Sequence, residues 1–195
     1  MSGRRAAFLD RDGVLIRDVV HLVDASRIEI LPGVPDALRR LRDARWMVVV
    51  VTNQSVVARG LVSEAELRGI HDVLESRLRA HGATLDAIYS CPHHPQGAVE
   101  RYRVVCDCRK PKPGLLLRAA ADLGIDLRAS VMVGDTDADI EAGRRAGCRT
   151  VLLTGAAGAV PWVSSATGAQ AADHVAPDLA AAADWILAET PALDG

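Results

Sequence analysis

Strand-like and helix-like segments alternate along the whole of this 195-residue chain, and that rhythm predicts an α/β fold built on a doubly wound parallel sheet with right-handed crossovers. Two further observations support it. Met47-Val48-Val49-Val50-Val51 is a continuous apolar run of the kind that a parallel sheet buries on both faces. The strand-like runs also end in polar or acidic clusters, as expected where an open α/β sheet gathers ligand-binding groups at its C-terminal edge.

The elements follow in order. Residues 6–9 form a first strand, broken by Asp10-Arg11-Asp12-Gly13. A helix follows Pro32-Gly33-Val34-Pro35, with Leu38 and Leu41 on its apolar face. The valine run is the second strand and ends in Thr52-Asn53-Gln54-Ser55. Ser63-Glu64-Ala65-Glu66 is a capping box for a long helix whose stripe is Leu67, Ile70, Leu74 and Leu78. Residues 85–89 read as a strand leading into a cysteine-rich segment. A helix over residues 114–123 is closed by Gly124, and Val131-Met132-Val133 is a short strand ending at Gly134-Asp135. Residues 138–146 are helical up to Gly147, residues 150–153 are a strand, and 174–176 and 179–187 close the chain as strand and helix. Residues 161–170 are small and polar and read as a surface loop.

Composition narrows the function classes. The length fits one domain over residues 1–195, and a formal net charge of −2 gives no support to a nucleic-acid surface. No apolar run approaches the roughly 20 residues of a membrane span. The first residues carry no apolar signal segment, so the expectation is a cytoplasmic monomer acting on a small molecule, without nucleic-acid or membrane partners. Of 23 Lys and Arg residues only two are lysines, Lys110 and Lys112, and both lie in Arg109-Lys110-Pro111-Lys112-Pro113-Gly114. Three of the four cysteines fall between Cys91 and Cys108, a clustering that in a cytosolic protein favours metal over disulfide.

Four polar clusters carry chemistry. Asp10 and Asp12 end the first strand, Thr52-Asn53-Gln54-Ser55 the second, Lys110 precedes a helix start, and Gly134-Asp135-Thr136-Asp137-Ala138-Asp139 ends a later strand. Singly, each is what any turn or helix cap attracts. Together they make a phosphoryl-transfer site. Asp10 and Asp135 are candidate carboxylate ligands for Mg²⁺, with Asp12 adding its backbone carbonyl. Asp10 is the candidate nucleophile and Asp12 the acid and base, with Lys110 and the Thr52 hydroxyl balancing charge on the phosphoryl oxygens. Cys91-x-His93 with Cys106-x-Cys108 makes a Cys₃His set that would hold zinc in a closed tetrahedron. On spacing alone, His94 is an alternative ligand and three free thiols an alternative state. Cys148 reads as a core thiol.

The order DxDG, TN, K, GDxxxD resembles the haloacid dehalogenase superfamily of phosphohydrolases over nearly the whole chain. Thr52-Asn53-Gln54-Ser55 with Ala58-Arg59-Gly60, Cys91-Pro92-His93-His94-Pro95-Gln96-Gly97 and Cys106-Asp107-Cys108-Arg109-Lys110-Pro111 further resemble its cap-less D-glycero-D-manno-heptose 1,7-bisphosphate 7-phosphatases of nucleotide-heptose biosynthesis. The resemblance implies a Rossmann-like core without a cap and a structural Zn²⁺ loop over about residues 91–108, with His93 as the histidine ligand. It also implies catalytic Mg²⁺ and a sugar-phosphate pocket drawn from Asp18, His21, Asn53, Gln54, Ser55, Arg59, Arg109 and Thr136.

The chain departs from that pattern in three places. Asp18-Val19-Val20-His21 stands where the family has Gly-Tyr or similar residues, Val56 stands where it has glycine, and Thr136 where it often has lysine. All three fall on recognition rather than on the four motif positions. A histidinol-phosphate phosphatase shares the zinc loop and fits Lys112. A non-catalytic zinc-stabilised binding protein is the alternative from another class, and retention of Asp10, Asp12, Lys110 and Asp135 argues against it.

Overall fold

A computed structural model describes residues 3–155 and 171–189. Among these residues are six strands, β1 (Ala6–Leu9), β2 (Met47–Asn53), β3 (Ala87–Cys91), β4 (Val131–Gly134), β5 (Arg149–Leu153) and β6 (His174–Ala176). They alternate with helices α1 (Val34–Asp43), α2 (Glu64–Ala80), α3 (Gly114–Leu123), α4 (Asp137–Ala146) and α5 (Leu179–Ala188). The strands form one sheet ordered β3-β2-β1-β4-β5-β6, parallel at every step. The predicted fold class is therefore the observed one.

Alternation along the strands divides the core. Ala7, Leu9, Val48, Val50, Val131 and Val133 face α1, α2 and α5. Ala6, Phe8, Val49, Val51 and Met132 face α3 and α4. A third cluster under the segment after β2 joins Val56, Val57, Ala58 and Val62 to Leu67 and Tyr102. Val56 is thus buried in place of the family's flexible glycine.

The helix ends follow their residues. Ser63 and Glu66 make the anticipated capping box at the start of α2, with Ser63 N–H on Glu66 Oε2 at 2.7 Å. Gly124 and Gly147 close α3 and α4 at φ of 67° and 86°, the left-handed region that glycine enters without a Cβ penalty. The strand expected at 85–89 instead begins after Asp86, whose carboxylate accepts the Val48 N–H at 2.7 Å. It then continues through the pairing of Asn53 with Cys91. Side-chain capping by Asp86 moves the strand two residues along and places Cys91 on its last rung. The loop expected at 161–170 lies outside the described residues.

Two features deliver the site. β1 has the chain's early strands on one side and the late ones on the other, so the connections leave in opposite directions between β1 and β4, where an open α/β sheet forms its crevice. α4 lies directly on the sheet: a Cβ on Gly143 would sit 2.6 Å from Met132 Cβ and 2.8 Å from Thr150 Cγ2. Gly143→Ala should therefore lower stability by about 1–3 kcal/mol through overpacking, although alanine is the better helix former. A thermal melt checks this; an unchanged or raised Tm would show that the helix can lift without cost.

Candidate active site at the strand switch point

Asp10 follows β1 immediately, its N–H on Val133 O at 3.0 Å. Its Oδ1 accepts from Arg11 N–H at 2.8 Å and lies 3.0 Å from Lys110 Nζ. The Lys110 ammonium also meets Asp139 Oδ1 at 2.5 Å and donates to Val51 O at 2.8 Å. Lys110 is only 4% exposed. Burial alone would push its pKa down, but Asp10 and Asp139 outweigh burial, leaving it raised and the lysine charged. For Asp139, burial and Asp10 push the carboxyl up, while Lys110 and Thr136 oppose them.

Carboxylate oxygens of Asp10, Asp135 and Asp139 lie within 4.8 Å of one another. Burial, then Asp10 and Asp139, push Asp135 up to about 8. Gly13 makes this crowding possible: with φ at 75°, a Cβ there would stand 1.9 Å from Asp135 Oδ2. Three carboxylates against one ammonium leave an uncompensated negative charge in a buried place, and hard oxygen donors in that arrangement fit a divalent cation. Asp139 was not among the expected site residues. Its signal was present in the GDxxxD spacing, which puts Asp139 one helical turn beyond Asp135.

The Asp12 carboxylate is not in this cluster. Arg11, 1% exposed, grips it from Nη2 at 3.0 Å to Oδ1 and 2.9 Å to Oδ2, and from Nε at 3.2 Å. Gln54 Nε2 donates to Asp12 Oδ2 and to Thr52 Oγ1, both at 2.9 Å, while its Oε1 accepts from Arg11 Nη2 at 2.9 Å. Arg11 Nη1 lies 3.2 Å from Nε2 of His71. The only sequence hint of His71 was a polar residue within the apolar stripe of α2; Arg11 had none.

A cavity of about 150 Å³ opens over these groups, lined by Arg11, Asp12, Asp18, His21, Gln54 and Ser55 among others. Asp18 has a raised pKa, from burial and from Asp12 and Asp10. His21 is exposed at φ 60°, a left-handed conformation that few non-glycine residues adopt, histidine more readily than most. Of the other expected recognition residues, Asn53, Thr136 and Arg109 have protein partners. Asn53 also borders the cavity, yet its Nδ2 donates to Lys110 O at 3.1 Å and its Oδ1 accepts Lys110 N–H at 3.0 Å. Thr136 precedes α4 and places its N–H and hydroxyl on Asp139 Oδ2, at 3.1 and 2.5 Å. Arg109 Nη1 donates to His93 O at 3.2 Å, and Arg59 is exposed.

Cys91, His93, Cys106 and Cys108 converge. Their sulfurs are separated by 3.0 to 3.6 Å, and His93 Nδ1 is 3.2 Å from Cys108 Sγ. These spacings exceed a bond of about 2.05 Å between sulfurs, and approach the roughly 3.8 Å edge implied by Zn–S bonds of about 2.3 Å. Hydrogen bonding from Cys91 lowers Cys108 to about 5, while the same contact and burial raise Cys91. The donor set is compatible with zinc. His94, the alternative ligand, instead accepts Gln96 N–H at 3.1 Å, and Cys148 is a buried thiol pushed up to about 12 by its burial.

No helix of the described residues is long and apolar enough to cross a membrane. Comparison with known proteins gives the family. A model described as HAD-hydrolase-like matches residues 107–182. The D-glycero-beta-D-manno-heptose-1,7-bisphosphate 7-phosphatase of Escherichia coli (strain K12) is 41% identical over 182 residues, 93% of this chain and 87% of the relative. The D-glycero-D-manno-heptose-1,7-bisphosphate 7-phosphatase of Thermosynechococcus vestitus is 42% identical over 187 residues, 94% of this chain and 95% of the relative. The crystal structure of D,D-heptose 1.7-bisphosphate phosphatase from B. bronchiseptica, complexed with magnesium and phosphate, matches with a TM-score of 0.77 and 36% identity, covering 95% of this chain and 99% of that one. With both sequence and fold shared over almost its full length, the chain belongs to the heptose 1,7-bisphosphate phosphatases of the haloacid dehalogenase-like hydrolases, phosphoric monoester hydrolases by family.

Proposed function

We propose that this chain, as a single-domain monomer, hydrolyses the 7-phosphate of D-glycero-D-manno-heptose 1,7-bisphosphate through an aspartyl-phosphate on Asp10. The observation that carries the reading is the buried cluster of Asp10, Asp135, Asp139 and Lys110 at the switch point, beside the polar cavity that contains Asp12.

Asp10, with Oδ1 fixed by two donors, attacks phosphorus in line, and the C7 oxygen leaves with a proton from Asp12. Water then attacks the phosphoryl group, Asp12 takes its proton, and Asp10 is released with inorganic phosphate. The Lys110 ammonium and the Thr52 hydroxyl balance charge spreading over the equatorial oxygens. Asp10 and Asp135 would hold Mg²⁺ by their carboxylates and Asp12 by its backbone carbonyl, with Asp139 next to them. When bound, Mg²⁺ supplies positive charge to the phosphoryl oxygens and the crowded acids. Asp18, His21 and Ser55 are assigned to the sugar, with Arg59 and Arg109 at the outer rim. Asn53, Gln54 and Thr136 serve the site through Lys110, Asp12 and Asp139. Zn²⁺ on Cys91, His93, Cys106 and Cys108 is assigned a structural role, because four protein ligands leave no position for water. Lys112, the residue that fitted the histidinol-phosphate alternative, is committed to an exposed pair with Asp107 at 2.9 Å.

Two activity measurements test this. Phosphate release with Mg²⁺ should show a kcat/KM for one heptose 1,7-bisphosphate anomer well above that for histidinol phosphate. Asp10→Asn should lower turnover at least about 10³-fold with the Tm retained. A preference for histidinol phosphate, or substantial activity in Asp10→Asn, would overturn the substrate or the nucleophile respectively.

Metal binding should also depend on pH. Folding raises the Asp135 pKa from 3.8 to about 8, so the folded protein holds a proton there that the unfolded chain has lost. Metal-free stability should therefore fall as pH rises through that window, and Mg²⁺ should raise the Tm more at about pH 8.5 than at about pH 6, where it competes with the proton. Equal shifts at both values would remove Asp135 as a ligand. Finally, Cys108→Ser should lower bound zinc and Tm together. A wild-type protein purified without zinc, with the variant's Tm unchanged, would remove the zinc assignment.

A further inference from the structure

Resting on the aspartyl-phosphate reading above, we infer that His71 is a positioning residue for Asp12: through Arg11 it fixes the carboxylate that activates water in the second half of the reaction. Neither the four motifs nor the metal sites use this histidine. It sits on α2, well away in sequence, and reaches the chemistry only through one guanidinium.

The argument begins with the burial of Arg11. A guanidinium has five N–H donors and no acceptor, and one that is 1% exposed must find its partners within the protein. Asp12 and Gln54 take Nε and Nη2. Nη1 has Nε2 of His71 at 3.2 Å. Arg11 always carries its protons, so the imidazole nitrogen is the acceptor and the ring is neutral, its proton on Nδ1. Burial and then the Arg11 charge push the His71 pKa down to about 4, which agrees with a neutral ring.

Removing that acceptor leaves Nη1 without its buried partner, and the guanidinium then turns to find another. Because Arg11 binds Asp12 through two nitrogens, any such turn also moves the Asp12 carboxylate. Gln54 alone does not hold it, since its amide is divided between Asp12, Thr52 and Arg11. In the first half of the reaction the leaving oxygen is held by the rest of the sugar, whereas in the second Asp12 itself must orient a free water, so its aim matters most there. The loss should therefore fall on hydrolysis of the phosphoenzyme more than on its formation. His71 also lines a cavity of about 270 Å³ with Leu67, Ile88 and Tyr89, so a side chain of different shape can be accommodated.

The test compares His71→Leu with His71→Gln, whose amide oxygen can take the place of Nε2, using the heptose bisphosphate and acid-quench trapping of phosphoenzyme. In His71→Leu, kcat should fall about tenfold, KM should fall with it, kcat/KM should change by less than about threefold, and trapped phosphoenzyme should rise. His71→Gln should recover most of the lost kcat. A fall in kcat at unchanged KM without added phosphoenzyme means a merely structural role and overturns the inference, as does a glutamine variant no better than leucine or no change in either. A wild-type enzyme that forms no phosphoenzyme would instead overturn the aspartyl-phosphate reading itself.

Discussion

The site depends on one buried ammonium. Lys110 Nζ meets the end of β1 through Asp10, the end of β2 through the Val51 carbonyl, and the first turn of α4 through Asp139. Three elements far apart in sequence are thus fixed around a single cation. A buried charge that loses its partner costs about 3–5 kcal/mol, so the arrangement is strongly specified once formed. It is not balanced, because Asp10, Asp135 and Asp139 outnumber it. Burial first, and then this surplus, raise the pKa of Asp135, so that without another cation the cluster retains a proton. The electrostatic surplus that makes the cluster fit a divalent metal therefore adds to what burial already does to Asp135.

Lys110 in turn is placed by its own loop. Asn53 pairs with both the N–H and the carbonyl of Lys110, fixing that peptide against the end of β2. Cys108 is only two residues away, and Arg109 returns to the His93 carbonyl. Behind it, Gly114 lets α3 begin against the loop, where a Cβ would stand 2.3 Å from Asp107 O. A stretch with almost no regular secondary structure thereby gains the rigidity of the sheet it borders. In the proposed reading the cysteine cluster, close to the phosphoryl site yet separate from it, holds a backbone rather than touching substrate.

Much of this was legible in the sequence, and the remainder fails for identifiable reasons. The valine run, the Ser63–Glu66 box and the closing glycines are local signals, and all three elements formed where local signals put them. Three of the four clusters were legible because strand ends in a parallel sheet must gather at one edge, and Lys110 because it precedes a helix start. β3 was misplaced because its start depends on Asp86 pairing with Val48, a long-range contact that periodicity does not encode. Asn53 was grouped with substrate contacts because its amide suits phosphate oxygens, and Thr136 because the resemblance places a substrate-facing lysine there. Spacing alone cannot show the hydrogen bonds that Lys110 and Asp139 make with them. Arg11 lies between two carboxylates in the sequence, with no local signal of its burial. Only the fold reveals that it is buried, with α2 supplying its last partner.

These networks divide the site into two parts with different freedom to vary. On the floor, Asp10, Asp12, Thr52, Gln54, Lys110 and Asp139 are held by contacts within the protein, so replacing any one disturbs at least one neighbour. At the rim, Asp18, His21 and Ser55 reach the cavity from the segment after β1 and the end of β2. The three departures from the family pattern can be sorted by this division. Val56 is absorbed into a buried apolar cluster, and Thr136 into the start of α4. That leaves Asp18 to His21, with His21 turned into a left-handed conformation, as the altered segment that faces the cavity. Because a cap-less fold has no second domain to select its substrate, discrimination between sugar phosphates must come from such loops. In the proposed reading it falls mainly on that one in this chain, while the chemistry beneath is held by charges that cannot move independently.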